Sequence, residues 1–338
     1  MVRKNDSDAS LLVLGDLNVD VIGRVDAWPV PGGEGLCRQL QLNCGGVGAN
    51  CALAIAPWGI KVRLLGCVGQ DGFGDLLLDT LRRTGVDVGS VQRCSRSHTG
   101  LLYINVTPDG QRTFFGSRGS NQFMDPTQVP VSSLVSCTAA HLVGYSFLNA
   151  GPEKIARKIV RQFHSRGKWV SFDVGMEPAK RIPHKILRLL PQADLLFVSS
   201  EEAAILTGQS NAHKSFLQIQ RAGAKEIVMK LGKRGCLISD GGILREIPSF
   251  AVRAVDSTGA GDAFTAVFLQ ARLRGWSTLE AALAANAAGA AAACRVGAGA
   301  TLSDVAGTLR LLRGRSKRRT WEKIRLEILS RVQTMRGI

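Results

Sequence analysis

Runs of apolar residues alternate with polar, glycine-rich stretches along the chain, and their lengths predict its elements. The short apolar run 11–14, stopped by Gly15, reads as a buried strand, and 19–25 as a second one ending at a proline- and glycine-rich turn over 28–33. Helical spacing follows over 49–58, a strand over 62–68, and a helix over 75–84 closed by Gly85. Two alternating strands, 101–107 and 112–115, flank Pro108-Asp109-Gly110 and predict a hairpin. From there the pattern settles into strand and helix in turn. Strand 141–143 precedes helix 152–165, strand 169–173 a short helix near Lys185, and strand 195–198 helix 201–206. Helix 214–222 leads to strand 226–231, and two apolar helices cover 259–275 and 279–294. Such alternation predicts an α/β fold, a doubly wound and mostly parallel sheet with helices on both faces. The early strands 19–25, 35–42 and 101–115 break that rhythm. They are expected to pair as a small separate sheet, a lid over a cleft at the strand ends.

Composition narrows the class. Of 338 residues, 45% are apolar and 21% charged, the balance of an ordinary globular protein, and 38 glycines against 6% aromatics favour close packing and backbone-defined loops. The stretch 281–294 is rich in Ala, interrupted by Asn286, and shorter than the roughly 20 residues of a membrane span, so a buried helix is expected. The polar start lacks the apolar core of a signal peptide, which predicts a cytoplasmic protein. Eight cysteines without a Cys-x-x-Cys pair and five scattered histidines read as reduced, mostly buried thiols rather than a zinc site.

Net charge is +16, and about half of it lies beyond residue 309, where ten basic residues face only Glu322 and Glu327. Binding nucleic acid or an anionic surface is one use of such a run, and no membrane partner is expected. A solvated helix is the simpler reading, because Trp321, Ile324, Ile328, Val332 and Met335 recur at helical spacing and predict a docked apolar stripe with the arginines outward.

Two glycine clusters carry the chemistry. In Asp256-Ser-Thr-Gly-Ala-Gly-Asp262, small residues stand directly before an apolar helix. That arrangement aims unpaired backbone N–H groups at a common point and lets an anion approach. Asp262 at the rim of an anion site would not assist binding by its charge; it suits the acceptance of a proton from an attacking hydroxyl, although a plain helix cap has the same appearance. The second cluster, Asn43-Cys-Gly-Gly-Val-Gly-Ala-Asn50, also enters a helix, but Cys51 stands where a dinucleotide fingerprint needs its third glycine. No Walker A ending occurs either. Asn50 and the bare backbone suit hydrogen bonding to a polyol.

Together these segments resemble the paired signatures of the PfkB/ribokinase-like carbohydrate kinase family. The likeness extends through Gly69-Gln-Asp-Gly-Phe-Gly74, Thr207-Gly208, Lys230-Leu-Gly-Lys-Arg-Gly235, Asn286-Ala-Ala and Gly297-Ala, and covers roughly 11–302. It implies a kinase domain over 1–308, with lid strands from about 17–45 and 98–118, and a basic helical extension over 309–338. It implies transfer of the ATP γ-phosphoryl to a hydroxyl of a sugar or sugar derivative, with Asp262 as base and the backbone of Gly259, Ala260 and Gly261 as anion hole. Asn18, Asp20, Gly45, Gly46 and Asn50 would bind the acceptor. Ser199, Glu202, Lys230, Gly232, Gly235 and Asn286 would serve the nucleotide, Glu202 organising Mg²⁺ through water. Asp256 and Thr258 fall where relatives hold a monovalent cation such as K⁺. A homodimer joined through the lid is expected. A nucleoside kinase on the same fold is the rival reading, with Trp28, Tyr103, Phe114 and Phe115 available to wall a base.

Three departures stand out. Ser199 replaces the usual Asn of Asn-x-x-Glu, Gly175 stands where many sugar kinases have Asn, and Val47 where ribokinases proper have Lys. The last of these speaks against a ribose-specific enzyme.

Overall fold

The computed structural model describes residues 9–28, 30–108, 112–240, 242–295, 302, 304–314 and 319–336. In chain order its strands are β1 (Ser10–Leu14), β2 (Asn18–Val25), β3 (Cys37–Gly45), β4 (Lys61–Gly69), β5 (Asp87–Cys94), β6 (Gly100–Val106), β7 (Arg112–Ser117), β8 (Ala139–Val143), β9 (Trp169–Asp173), β10 (Leu195–Ser199), β11 (Glu226–Lys230), β12 (Cys236–Asp240) and β13 (Ile243–Ile247). The helices are α1 (Val47–Ile55), α2 (Gly72–Arg83), α3 (Val131–Val135), α4 (Ala150–His164), α5 (Met176–Arg181), α6 (Pro183–Leu189), α7 (Ser200–Thr207), α8 (Ala212–Arg221), α9 (Ala260–Leu273), α10 (Thr278–Ala293), α11 (Val305–Arg313) and α12 (Arg319–Arg336).

Among the described residues, nine strands form one sheet in the order β13-β12-β11-β10-β9-β8-β1-β4-β5, and four form a second in the order β3-β2-β6-β7. The large sheet is parallel except at β11–β12 and β12–β13. Its central strands are apolar on both faces because both are covered. Leu11 and Val13 pack with Phe197 and Val228 under α1, α9 and α10, while Leu12 and Leu14 join Leu142 and Leu196 under α4 and α8. Phe268 on α9 is fully enclosed and meets Phe197 edge-on at 5.4 Å, a burial that stabilises by roughly 1.5–3 kcal/mol. The alanines of α10 let it lie close against α9.

The predicted α/β order and the separate lid sheet are both present. The expectation missed β5, the β12–β13 hairpin and α11. The edge strand β13 has mostly exposed side chains, and β5 buries only Val88, Gln92 and Cys94 among polar and glycine positions, so neither offers an apolar run to read. The glycine cluster over 43–50 enters a helix as expected, with Asn43 to Gly45 finishing lid strand β3 and Gly46 capping α1. Gly46 has φ 88°, and a Cβ there would lie 2.4 Å from the Asp16 carbonyl oxygen. Only glycine permits that crossing.

The tail helix docks as expected at Ile328 and Val332, both buried; the side chains of Trp321 and Met335 lie outside the described residues. Its arginines do not all face solvent. Arg325 is 3% exposed, donating from Nε to the Leu312 carbonyl at 2.5 Å and pairing with Glu322. Arg331 pairs with Glu280 at 3.3 Å and lies 5.9 Å over the Trp276 ring. The second turn residue of the lid hairpin, Asp109, its neighbour Gly110 and the Gly297-Ala pair lie outside the described residues. Among the described residues no helix is long and apolar enough to cross a membrane.

Candidate active site

In a doubly wound sheet the chain leaves neighbouring strands toward opposite faces at one switch point, and a crevice opens at the carboxyl ends there. Here β1 is that strand, between β8 and β4. Asp173, Ser199 and Lys230 end β9, β10 and β11, and the amino end of α9 comes down on the same edge. The lid closes the other side, its strand β2 carrying Asn18 and Asp20 on one face two residues apart.

Gly259 caps α9 at φ 75° without a side-chain bond, and a Cβ there would fall 2.2 Å from Leu302 Cδ2. The first intrahelical bond is Ala263 N–H to the Gly259 carbonyl at 2.9 Å. Of the expected anion-hole amides, Ala260 N–H is engaged by the Ser257 carbonyl at 3.2 Å. Among the described residues, the Gly259, Gly261 and Asp262 N–H groups are the helix-end donors with no acceptor.

The Asp262 carboxylate accepts a hydrogen bond from Asn50 Nδ2 at 2.8 Å, joining the two glycine clusters. Burial pushes its pKa up to about 6, opposed by Asn50 and Lys230 and reinforced by Asp173. Asp20 is raised to about 7, first by burial and then by the charge of Asp262. Asp20 Oδ1 and Asn50 Oδ1 are both buried without a donor among the described residues. Two orphaned acceptors beside one carboxylate are what a hydroxyl-bearing ligand would complete.

On the other flank, Lys230 Nζ pairs with Asp173 Oδ2 at 2.8 Å, and the Thr265 hydroxyl donates to the same oxygen at 3.1 Å. Ser199 and Glu202 form a capping box for α7, with the Ser199 N–H bonded to Glu202 Oε2 at 2.8 Å and the Glu202 N–H to Ser199 Oγ at 3.1 Å. Burial and then Asp173 raise Glu202 to about 7, against Lys230 and Ser199. Gly232 and Gly235, at φ 59° and 104°, build the turn after Lys230.

A pfkB family carbohydrate kinase domain matches residues 8–305. The chain belongs to the PfkB family. It is 27% identical to a ribokinase of Haemophilus influenzae, over 90% of this chain and 98% of that one. It is 31% identical to an ATP-dependent ribose-1-phosphate kinase of Halopiger xanaduensis (85% and 93%) and to fructokinase-1 of Oryza sativa (79% and 88%). The ribokinase structure from Thermotoga maritima superimposes with a TM-score of 0.79 at 26% identity, covering 90% of this chain and all of that one. Arabidopsis thaliana ribokinase complexed with ribose and ATP gives 0.78 at 25% identity, covering 91% and 99%. The fold is therefore ribokinase-like, and the protein is an ATP-dependent carbohydrate kinase.

Within this PfkB kinase, Asp20, Asn50 and Asp262 converge on one flank of the α9 end, and Glu202 and Lys230 on the other. Asn286 does not join them. It is buried in α10, and its Nδ2 is spent on the Ile247 and Pro248 carbonyls at 3.0 and 3.3 Å, tying the helix to the end of β13. Asp256 is buried in the loop before α9 and accepts the Thr258 N–H at 2.7 Å.

Sequence reasoning missed Asp173, Thr265 and the group around Asp16. Arg118 grips Asp16 with two bonds of 2.8 Å and reaches Asn149 and the Tyr145 carbonyl. Asn121 clamps the Leu17 backbone and donates to Asn18 Oδ1 at 3.0 Å. A buried strand ending in Asp was the available signal for Asp173; nothing local marked Arg118. The glycine at 175 has a physical reason, since a Cβ there would lie 2.8 Å from the Tyr145 ring.

Proposed function

We propose that this kinase phosphorylates a hydroxyl of a sugar or compact sugar derivative, with Asp262 as the base. The observation that carries this reading is the pair of orphaned acceptors, Asp20 Oδ1 and Asn50 Oδ1, beside a carboxylate raised to about 6. An acceptor whose other hydroxyls donate to them would set its reacting hydroxyl against Asp262, which takes that proton as the oxygen attacks the γ-phosphorus. The Gly261 and Asp262 amides, with the α9 dipole, would meet the negative charge of the phosphoryl group. Asn18, Gly45 and Gly46 support the acceptor side, Gly46 by letting the chain cross Asp16.

Glu202 fits a cationic partner, because burial and Asp173 raise it to about 7 and Lys230 offsets that only in part. Mg²⁺, held by ATP oxygens and by water on Glu202 and Ser199, would supply that charge and neutralise the phosphates. Lys230, Gly232 and Gly235 lie on the nucleotide side; Asn286 would act there through the β13 end rather than by its own amide. Asp256 and Thr258 are our candidates for a K⁺ site.

Lid register favours a sugar over a nucleoside. Ile22 pairs with Ile104 and Ile104 with Phe114, so these share a face with Asp20, whereas Tyr103 pairs with Phe115 on the opposite face. Trp28 packs on Phe115 at 6.2 Å, also away from Asp20. Of the four aromatics, Phe114 alone is on the side of the acceptor. The opposite face leaves Trp28, Leu40, Leu42 and Phe115 exposed, which supports a homodimer joined through the lid. We read 1–308 as the kinase domain and 309–338 as an appended extension rather than a nucleic-acid arm, since Arg325 and Arg331 serve its docking. Eight free thiols suit a reducing compartment such as the cytoplasm.

The test is ADP release from Mg-ATP against sugars, sugar acids, sugar phosphates and nucleosides. Turnover on one sugar class, lost in Asp262→Asn, supports the proposal. Turnover confined to nucleosides, or kept by Asp262→Asn, would refute it.

A further inference from the structure

The charges around the transfer point are unbalanced. Asp20, Asp173, Glu202 and Asp262 surround the amino end of α9, and among the described residues Lys230 is the one cation that acts on Asp262 and Glu202. A transferring phosphoryl adds more negative charge to the same space. The Lys230 ammonium is already beside the helix end, since a Cβ placed on Gly261 would lie 3.8 Å from Nζ.

We infer that Lys230 is a catalytic residue that leaves Asp173 to meet the transferring phosphoryl, and that Asp173 is the positioning residue that stores it. The inference rests on the kinase reading of this site.

A structural strut between β9 and β11 is the plainer use of such a pair. Three features favour the catalytic one. A buried ion pair is a poor source of stability, because desolvation consumes its Coulomb energy. The pair is asymmetric: Asp173 Oδ2 keeps the Thr265 hydroxyl at 3.1 Å when Lys230 departs, whereas Nζ has Asp173 at 2.8 Å and only a long contact to Thr265 at 3.5 Å. The ammonium also stays charged in spite of burial, because Asp173, Glu202 and Asp262 raise its pKa above the ordinary value. A compact charge on a flexible stem suits a phosphate that moves.

The balance is that of simple transfer. The bond from the γ-phosphorus to the ADP oxygen breaks as the bond to the acceptor oxygen forms. The acceptor proton goes to Asp262. Lys230 exchanges no proton and contributes only charge and hydrogen bonds.

Lys230→Met alone strands the Asp173 carboxylate and risks misfolding, so the comparison is Asp173→Asn with Asp173→Asn/Lys230→Met. We expect the double variant to have a kcat about 10²–10³-fold below the single one, the size of losing one transition-state donor. KM for Mg-ATP should move by less than about tenfold. Lys230→Arg in the Asp173→Asn background should recover part of the loss. Calorimetry supplies a readout independent of turnover: the gain in affinity from Mg-ADP to Mg-ADP with fluoroaluminate should fall about tenfold or more in the double variant. Equal kcat and equal fluoroaluminate gain in the two variants would overturn the assignment while leaving the kinase reading intact. Failure of the wild type to bind Mg-ATP would overturn both.

Discussion

Asp262→Asn should make the ligand-free protein more stable at pH 8 while destroying its activity. Its carboxyl is held near 6 against an ordinary 3.8, chiefly by burial. A rise of about two units corresponds to about 3 kcal/mol carried by the native state once the group is ionised. Asp262 keeps a partial opening to the cleft, and solvent takes part of that cost, leaving about 1–2 kcal/mol. The sign follows from proton binding. A raised acid holds its proton longer in the folded chain, so its contribution is fully favourable below about pH 4 and is lost as pH rises through about 6. The amide has no charge to bury, and its oxygen can still accept from Asn50. Urea unfolding of both proteins without ligand should therefore show curves that converge near pH 4 and separate by about 1–2 kcal/mol at pH 8, the variant being more stable. Its kcat should fall by about 10²–10⁴-fold, with Mg-ATP affinity kept. A variant less stable than wild type at pH 8, or one with the same gain at both pH values, would refute the picture of a buried base held at a cost for function.

Acceptor kcat/KM should rise with pH across about 6 to 7 in two overlapping steps, because Asp20 and Asp262 titrate as a pair, and Asp20→Asn should reduce these to one step in a pH–rate profile. Gly259→Ala should cost about 1–3 kcal/mol in denaturant unfolding and lower kcat, since φ 75° and the contact with Leu302 both resist a side chain. Leu40→Glu on the exposed lid face should shift the protein to monomer in sedimentation; an unchanged dimer would place the interface elsewhere. Arg325→Ala should destabilise by about 1.5–3 kcal/mol, because the buried Leu312 carbonyl loses a charged donor, which thermal unfolding will detect.

Periodicity and glycine placement by themselves determined the α/β order, the separate lid and the tail helix, because burial on one or two faces imposes its spacing on the chain. They also marked the α9 end and the Gly46 crossing, where small residues are needed whatever surrounds them. Side chains whose role depends on distant partners were not legible. Asn50 and Asp262 are 212 residues apart, and Lys230 and Asp173 57 apart, so no local pattern records that they touch. Adjacent Phe114 and Phe115 look equivalent in sequence; strand alternation puts one on the lid face of Asp20 and the other on the opposite face, a choice made by the register of β2, β6 and β7. Asn286 sits in a family motif, yet its amide is consumed by the Ile247 and Pro248 carbonyls. Tertiary structure decided these matters, because a hydrogen bond or a shifted pKa is set by distance and burial in space, and the order of residues constrains neither across folded strands.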